Sequence, residues 1–90
     1  MRFVLLVNFR RRLTKEDTDQ TDAIINANPQ VKVHSIDWVL GRYDGVLVAE
    51  APDVETWLRF VEPLSAYLST ETLVAIPRED VLTIIEHRRP

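Results

Sequence analysis

Asp37 and Asp44 are the two residues with the clearest potential for acid–base chemistry. If Gly41-Arg42 forms a two-residue hairpin loop, Val39 lies opposite Asp44, and the two carboxylates lie diagonally on one sheet face, about 7–8 Å apart. A raised pKa there would suit a general base or a cation site. The alternative is that Asp44 accepts backbone hydrogen bonds near the hairpin or pairs with an arginine. A loop one residue longer would place the two carboxylates on opposite faces.

His34 is a third candidate for catalysis, because the strand pattern places it on the same face as Ile36 and Trp38. A lone histidine on a mostly apolar face is, however, more often a structural residue. Trp38 and Tyr43 are candidate aromatic walls of a ligand cavity, with core packing as the alternative. Together with Arg42, they are the candidate ligand-binding residues.

The composition excludes several kinds of site. The chain has no cysteine and only two histidines, so we expect no metal site and no cofactor. Its formal net charge of −3 makes generic nucleic-acid binding unfavourable. The predicted order of elements is shared with RNA-recognition modules, but the further aromatic residues that stack bases are missing, and Asp44 would repel phosphate.

Three arginines, Arg10, Arg11 and Arg12, follow the apolar N-terminal stretch where a signal peptide would need small residues. The apolar runs are too short to span a membrane, so we expect a cytoplasmic protein with no membrane partner. The arginines precede a predicted helix N-terminus, where backbone amides can help to bind phosphate or carboxylate. The alternative is a solvated loop that is salt-bridged to the acidic helix or to a partner chain.

The elements that must position these residues follow from hydrophobic periodicity and capping signals. Thr14 and Asp17 form a plausible capping box for the first helix, and Asp53 is a good N-cap for the second, whose apolar stripe is Val54, Trp57, Leu58 and Val61. The predicted order is strand 2–9, helix 14–27, strand 31–40, strand 43–51, a helix from 53 that ends near Pro63, strand 70–76 and helix 78–88.

This β-α-β-β-α-β order predicts an α+β, ferredoxin-like fold, in which residues 1–90 form one domain with a four-stranded antiparallel sheet and an added C-terminal helix. The helices cover one sheet face, yet the first, third and fourth strands are apolar on both faces. A second copy of the sheet is the simplest cover for the other face, so we predict a homodimer or a higher homo-oligomer.

The stretch from Trp38 to Asp53 resembles the GYD domain family, which is named for the glycine, tyrosine and aspartate present here at Gly41, Tyr43 and Asp44. The segments 50–53 and 70–73 are also similar to that family. The resemblance implies a ferredoxin-like fold of the dimeric α/β-barrel kind and no established activity.

Two hypotheses for function follow. The first is a non-catalytic small-ligand-binding or regulatory protein, with a cavity between the sheet and the helices or between protomers. The second, by analogy of fold only, is a cofactor-independent enzyme of the monooxygenase or isomerase kind. The size of the cavity and the titratable groups inside it discriminate between them.

Overall fold

The elements are taken from a computed structural model that describes residues 1–88. In chain order they are β1 (Arg2–Phe9), α1 (Lys15–Ala27), β2 (Lys32–Trp38), β3 (Gly45–Glu50), α2 (Val54–Val61), a 3-10 helix (Glu62–Ala66), β4 (Leu68–Ala75) and α3 (Arg78–Arg88). The predicted order of elements is confirmed. The strand boundaries differ slightly: β3 begins at Gly45 and not at Tyr43, and β4 begins two residues before Thr70.

The four strands form one antiparallel sheet in the order β2-β3-β1-β4, which is the ferredoxin-like arrangement that the sequence predicts. The register places Leu5 opposite Leu47 on one side and opposite Thr72 on the other. Because side chains alternate along a strand, the odd-numbered residues of β1 share one face with these partners. This face is covered by α1 and α2 and is called the helix face here.

The core lies between the helix face and α2. Trp57 is fully buried and stacks on Phe3, with the ring centroids 4.6 Å apart, and Phe60 packs against Trp57. The predicted stripe of α2 is partly wrong, because Val54 and Leu58 are exposed and Phe60 takes their place in the core. Relative to the predicted stripe, α2 is rotated about its axis. Its buried side is continuous with the buried Leu64 of the 3-10 helix.

Local capping fixes where both covering helices begin. Thr14 Oγ1 accepts a hydrogen bond from the Asp17 amide, and the Asp17 carboxylate accepts one from the Thr14 amide, so the predicted capping box is present. Asp53 caps α2 by accepting from the Thr56 amide at 2.7 Å. The α-helix ends at Val61, and the chain continues as the 3-10 helix that contains Pro63.

A β-bulge in β2 changes which residues share a face. The register against β3 shifts between Val33 and Ser35, so Val33 lies opposite Ala49 and Ile36 lies opposite Leu47, both on the helix face. The sequence pattern places His34 and Ile36 on one face, and strict alternation then predicts Val33 on the other face, which is wrong. The extra residue of the bulge interrupts the simple alternation on which that prediction depended.

The opposite side of the sheet, called the open face here, has no element of the described chain packed across its centre. It carries Val4, Leu6, Val46, Val48, Leu73 and Ala75. Helix α3 follows β4 and exposes Val81, Leu82, Ile84 and Ile85, and the molecule is elongated, 55 × 30 × 17 Å. No helix among residues 1–88 is both long enough and apolar enough to span a membrane.

Candidate functional site

A cavity of about 190 Å³ lies between α1 and the helix face of the sheet. Its walls are mainly apolar side chains of the strands and of the segment that precedes β4. These are Leu5, Val7, Phe9, Leu13, Ile36, Trp38, Leu47, Leu64 and Leu68. A mostly apolar, concave site with a few polar groups is typical of small-molecule binding sites.

Two aromatic residues lie together in the wall of this cavity. Trp38 is 67% exposed and packs against Phe9 at 5.0 Å between ring centroids, in an edge-on arrangement. Gly45 lies opposite Trp38 in the register, and a Cβ atom there would be 3.0 Å from Cγ2 of Val7. The glycine therefore allows Val7 to pack closely against the backbone of β3.

The polar part of the wall is a set of hydroxyl groups. Thr21 Oγ1 donates to the carbonyl of Asp17 at 2.9 Å and is also hydrogen-bonded to the hydroxyl of Tyr67, which is 3% exposed. Thr18 Oγ1 donates to the carbonyl of Lys15 at 2.7 Å. Thr18, Thr21 and Tyr67 all line the cavity.

An ion pair anchors the first turn of α1, and thereby this wall. Both guanidinium nitrogens of Arg11 donate to the Asp17 carboxylate, at 2.6 and 2.9 Å. The hydrogen bonds from Arg11 and then from the Thr14 amide lower the pKa of Asp17 to about 2. Of the two interpretations of the arginine cluster, the structure shows the one in which Arg11 pairs with the acidic helix.

Asp44 lies where β1 and β3 separate, and its carboxylate accepts a hydrogen bond from the Phe9 amide at 2.8 Å. The amide of Val39 donates to the Asp44 carbonyl, so these two residues lie opposite each other, as predicted. Within residues 1–88, however, no backbone hydrogen bond joins Leu40 and Tyr43, so the predicted two-residue turn is not closed, although Gly41 has a φ of 136°. Asp37 lies opposite Val46, so alternation directs its side chain to the open face, although the residue borders the cavity.

His34 lies in the bulge of β2 and not on the face of Ile36 and Trp38, so that placement is corrected. Its Nε2 atom is 3.1 Å from the Glu50 carboxylate, and Arg2 lies 3.9 Å from the same carboxylate. The hydrogen bond from His34, with a smaller contribution from the charge of Arg2, lowers the pKa of Glu50. His34 thus belongs to a charged group at the rim of the open face, away from the cavity lining.

Tyr43 and Arg42 also lie away from the cavity. The Tyr43 hydroxyl donates to Glu71 at 3.1 Å, and the Arg42 guanidinium lies 5.7 Å from the centre of the Tyr43 ring. Because Glu71 pairs with Leu6, this contact is on the open face. Of the predicted site residues, only Trp38 and Asp37 are part of the cavity wall.

Four further residues line the cavity although no motif in the sequence marks them as site residues: Thr18, Thr21, Asp22 and Tyr67. Thr21 and Tyr67 are hydrogen-bonded across 46 positions of the chain, and no local pattern signals such a pair. Residues 1–88 contain no group of three or more histidine, cysteine, aspartate or glutamate side chains that could hold a metal ion.

A protein-family model covers most of the chain. Residues 7–85 match the model of the GYD domain. The chain belongs to the GYD domain family. Among curated proteins, none matches it.

The fold of this GYD domain also occurs in solved structures. The crystal structure of PH0061 is 17% identical with a TM-score of 0.57, and the match covers 87% of this chain and 53% of that one. An AsnC family transcriptional regulator from Agrobacterium tumefaciens is 16% identical with a TM-score of 0.55, covering 86% and 52%. The GYD domain thus spans about half the length of these two proteins, and the likeness concerns the fold alone.

A dimeric ferredoxin-like protein of unknown function from Thermobifida fusca is 15% identical, with a TM-score of 0.46, and the match covers 82% of the GYD domain and 89% of that chain.

Proposed function

We propose that this GYD domain is a homodimeric protein that binds a small molecule in the cavity between α1 and the sheet. The observation that carries the proposal is the cavity itself, about 190 Å³ with mainly apolar walls and an exposed indole. A smaller cavity of about 150 Å³ is sufficient to hold one benzene ring. The cavity therefore has room for a small organic ligand.

Self-association is supported by the open face. Four strands at about 4.8 Å spacing and about 3.4 Å per residue along β1 give roughly 500 Å² on each copy. Two such faces bury about 1,000 Å², which is the lower limit for a specific interface. The apolar side chains that α3 exposes offer additional area to a partner.

Binding without catalysis is favoured over an enzymatic function by the positions of the candidate catalytic groups. Asp44 uses its carboxylate to accept from the Phe9 amide, and His34 pairs with Glu50 at the rim of the open face. Neither residue lines the cavity, and Asp37 directs its side chain away from it. A ligand in the cavity would meet none of these three groups.

The test is a search for small molecules bound to the protein, by native mass spectrometry and by fluorescence of Trp38. The variant Ile36→Trp fills part of the cavity from β2, where Ile36 is 49% exposed. The matched control is Leu58→Trp on α2, where the leucine is 55% exposed and lies outside the cavity.

We expect a fragment that binds the unchanged protein to bind Leu58→Trp equally and Ile36→Trp at least tenfold more weakly. Equal binding to both variants would place the ligand elsewhere and refute the cavity as the site. Light scattering that gives the mass of one chain at micromolar concentration would refute the homodimer.

A further inference from the structure

The hydroxyl groups in the cavity wall share one property, which is that their protons are directed away from the cavity. A carbonyl oxygen can only accept, so the contact of 2.9 Å between Thr21 Oγ1 and the Asp17 carbonyl contains the single hydroxyl proton of Thr21. Thr21 must then accept from Tyr67, and Tyr67 uses its own proton in that bond. The remaining lone pair of Tyr67 Oη is free to accept.

The other polar side chains of the cavity wall also offer hydrogen-bond acceptors and no free donor. Thr18 donates its proton to the Lys15 carbonyl at 2.7 Å, which leaves acceptor capacity on its oxygen. Asp22 lines the cavity and, as a carboxylate, is an acceptor only. The polar side chains of α1 and Tyr67 therefore present acceptors to a bound molecule.

The charge of the cavity lining also favours a ligand that is not an anion. Among residues 1–88, the lining contains the carboxylate of Asp22 and no lysine, arginine or histidine, and the side chain of Asp37 is directed to the open face. An anionic ligand would lose its hydration without gaining a cationic partner, which is unfavourable in an apolar site. The cavity therefore disfavours carboxylates and phosphates.

We propose that the cavity selects a small, neutral aromatic molecule that donates a hydrogen bond, of the phenol type, with its hydroxyl directed to Tyr67 Oη. The aromatic part would pack among Phe9, Trp38 and the neighbouring aliphatic side chains, in a space suited to one ring. This inference rests on the proposed ligand-binding function and specifies the ligand of that same cavity.

The test compares three probes of similar size by titration calorimetry on the full chain. Phenol can donate a hydrogen bond, anisole has the same ring and oxygen but cannot donate, and benzoate is an anion. We expect phenol to bind roughly fivefold to tenfold more tightly than anisole, as one additional net hydrogen bond implies. Benzoate should bind at least about tenfold more weakly than phenol, because no cation meets it.

Two variants examine the direction of the hydrogen bonds. Tyr67→Phe removes the acceptor and should reduce the preference for phenol over anisole to within about twofold. Thr21→Val removes the acceptor of the Tyr67 proton, which becomes available to the ligand, so anisole should gain affinity relative to phenol. Tyr43→Phe, on the open face, is the matched control and should leave the ratio unchanged.

The outcomes separate this inference from the function on which it rests. If none of the three probes binds, the proposed ligand-binding function itself fails. If probes bind but anisole or benzoate equals phenol, or if Tyr67→Phe keeps the preference while circular dichroism shows a native fold, the inference about the ligand class alone is wrong.

Discussion

Replacing Val48 by lysine places a positive charge near the centre of the open face. Val48 lies opposite Val4 on β1 and opposite Ser35 on β2, and it is half-buried in the single chain. In a two-fold symmetric dimer each copy contributes one such lysine, so the substitution acts twice.

The expected magnitude follows from this doubling. Burying an ammonium group costs several kcal/mol, of which the Asp37 carboxylate on the same face recovers a part. A net cost of about 2–3 kcal/mol for each lysine gives about 5 kcal/mol for the pair. That corresponds to an increase of the dimer dissociation constant by roughly 10³ to 10⁴. In the single chain the new side chain can reach solvent, so the fold should persist.

Analytical ultracentrifugation over a concentration series measures this shift, and far-UV circular dichroism verifies the fold. Leu58→Lys on α2 is the control, because this exposed leucine lies on the other side of the molecule. We expect Val48→Lys to sediment as a monomer and Leu58→Lys to behave like the unchanged protein. A folded Val48→Lys protein that remains dimeric, or a control that dissociates equally, would refute sheet-to-sheet packing.

Three further substitutions test the fold and its electrostatics. Thr72→Val leaves the buried Nε1–H group of Trp57, which donates to Thr72 Oγ1 at 3.0 Å, without a partner. We expect a loss of about 1–3 kcal/mol in the free energy of unfolding by urea titration, whereas Thr72→Ser should lose little. The pKa of Asp17 is lowered from its usual 3.8 to about 2, so the unfolded chain binds more protons between these values. The stabilisation by the ionised Asp17 carboxylate is therefore complete above the usual pKa and is lost as the pH falls towards 2. Melting temperatures measured over this pH range should fall less steeply for Asp17→Asn than for the unchanged protein. Asp19→Asn is the control and should keep the pH dependence of the unchanged protein. Gly41→Ala should destabilise the protein by about 1 kcal/mol, because a φ of 136° is unfavourable for alanine and no neighbouring atom lies within 4 Å of the added Cβ. An unchanged melting temperature for this variant would contradict the strain.

The order of the elements, the caps of α1 and α2 and the positive φ of Gly41 could be predicted from the sequence. Each depends on residues within a few positions of one another, such as Thr14 with Asp17, whose hydrogen bonds form in any chain that begins a helix there. The register of the β2–β3 hairpin is local in the same sense, and Val39 does lie opposite Asp44.

The tertiary structure decided which residues form the cavity. The bulge at His34 brings Val33 and Ile36 to one face, and only the packing of whole strands determines where such an extra residue is accommodated. The bond between Asp44 and the Phe9 amide and the bond between Thr21 and Tyr67 join segments 35 and 46 positions apart. Hydrophobic patterns specify which side of an element is buried, but they carry no information about which distant polar group it meets, and that pairing sets the chemistry of the wall.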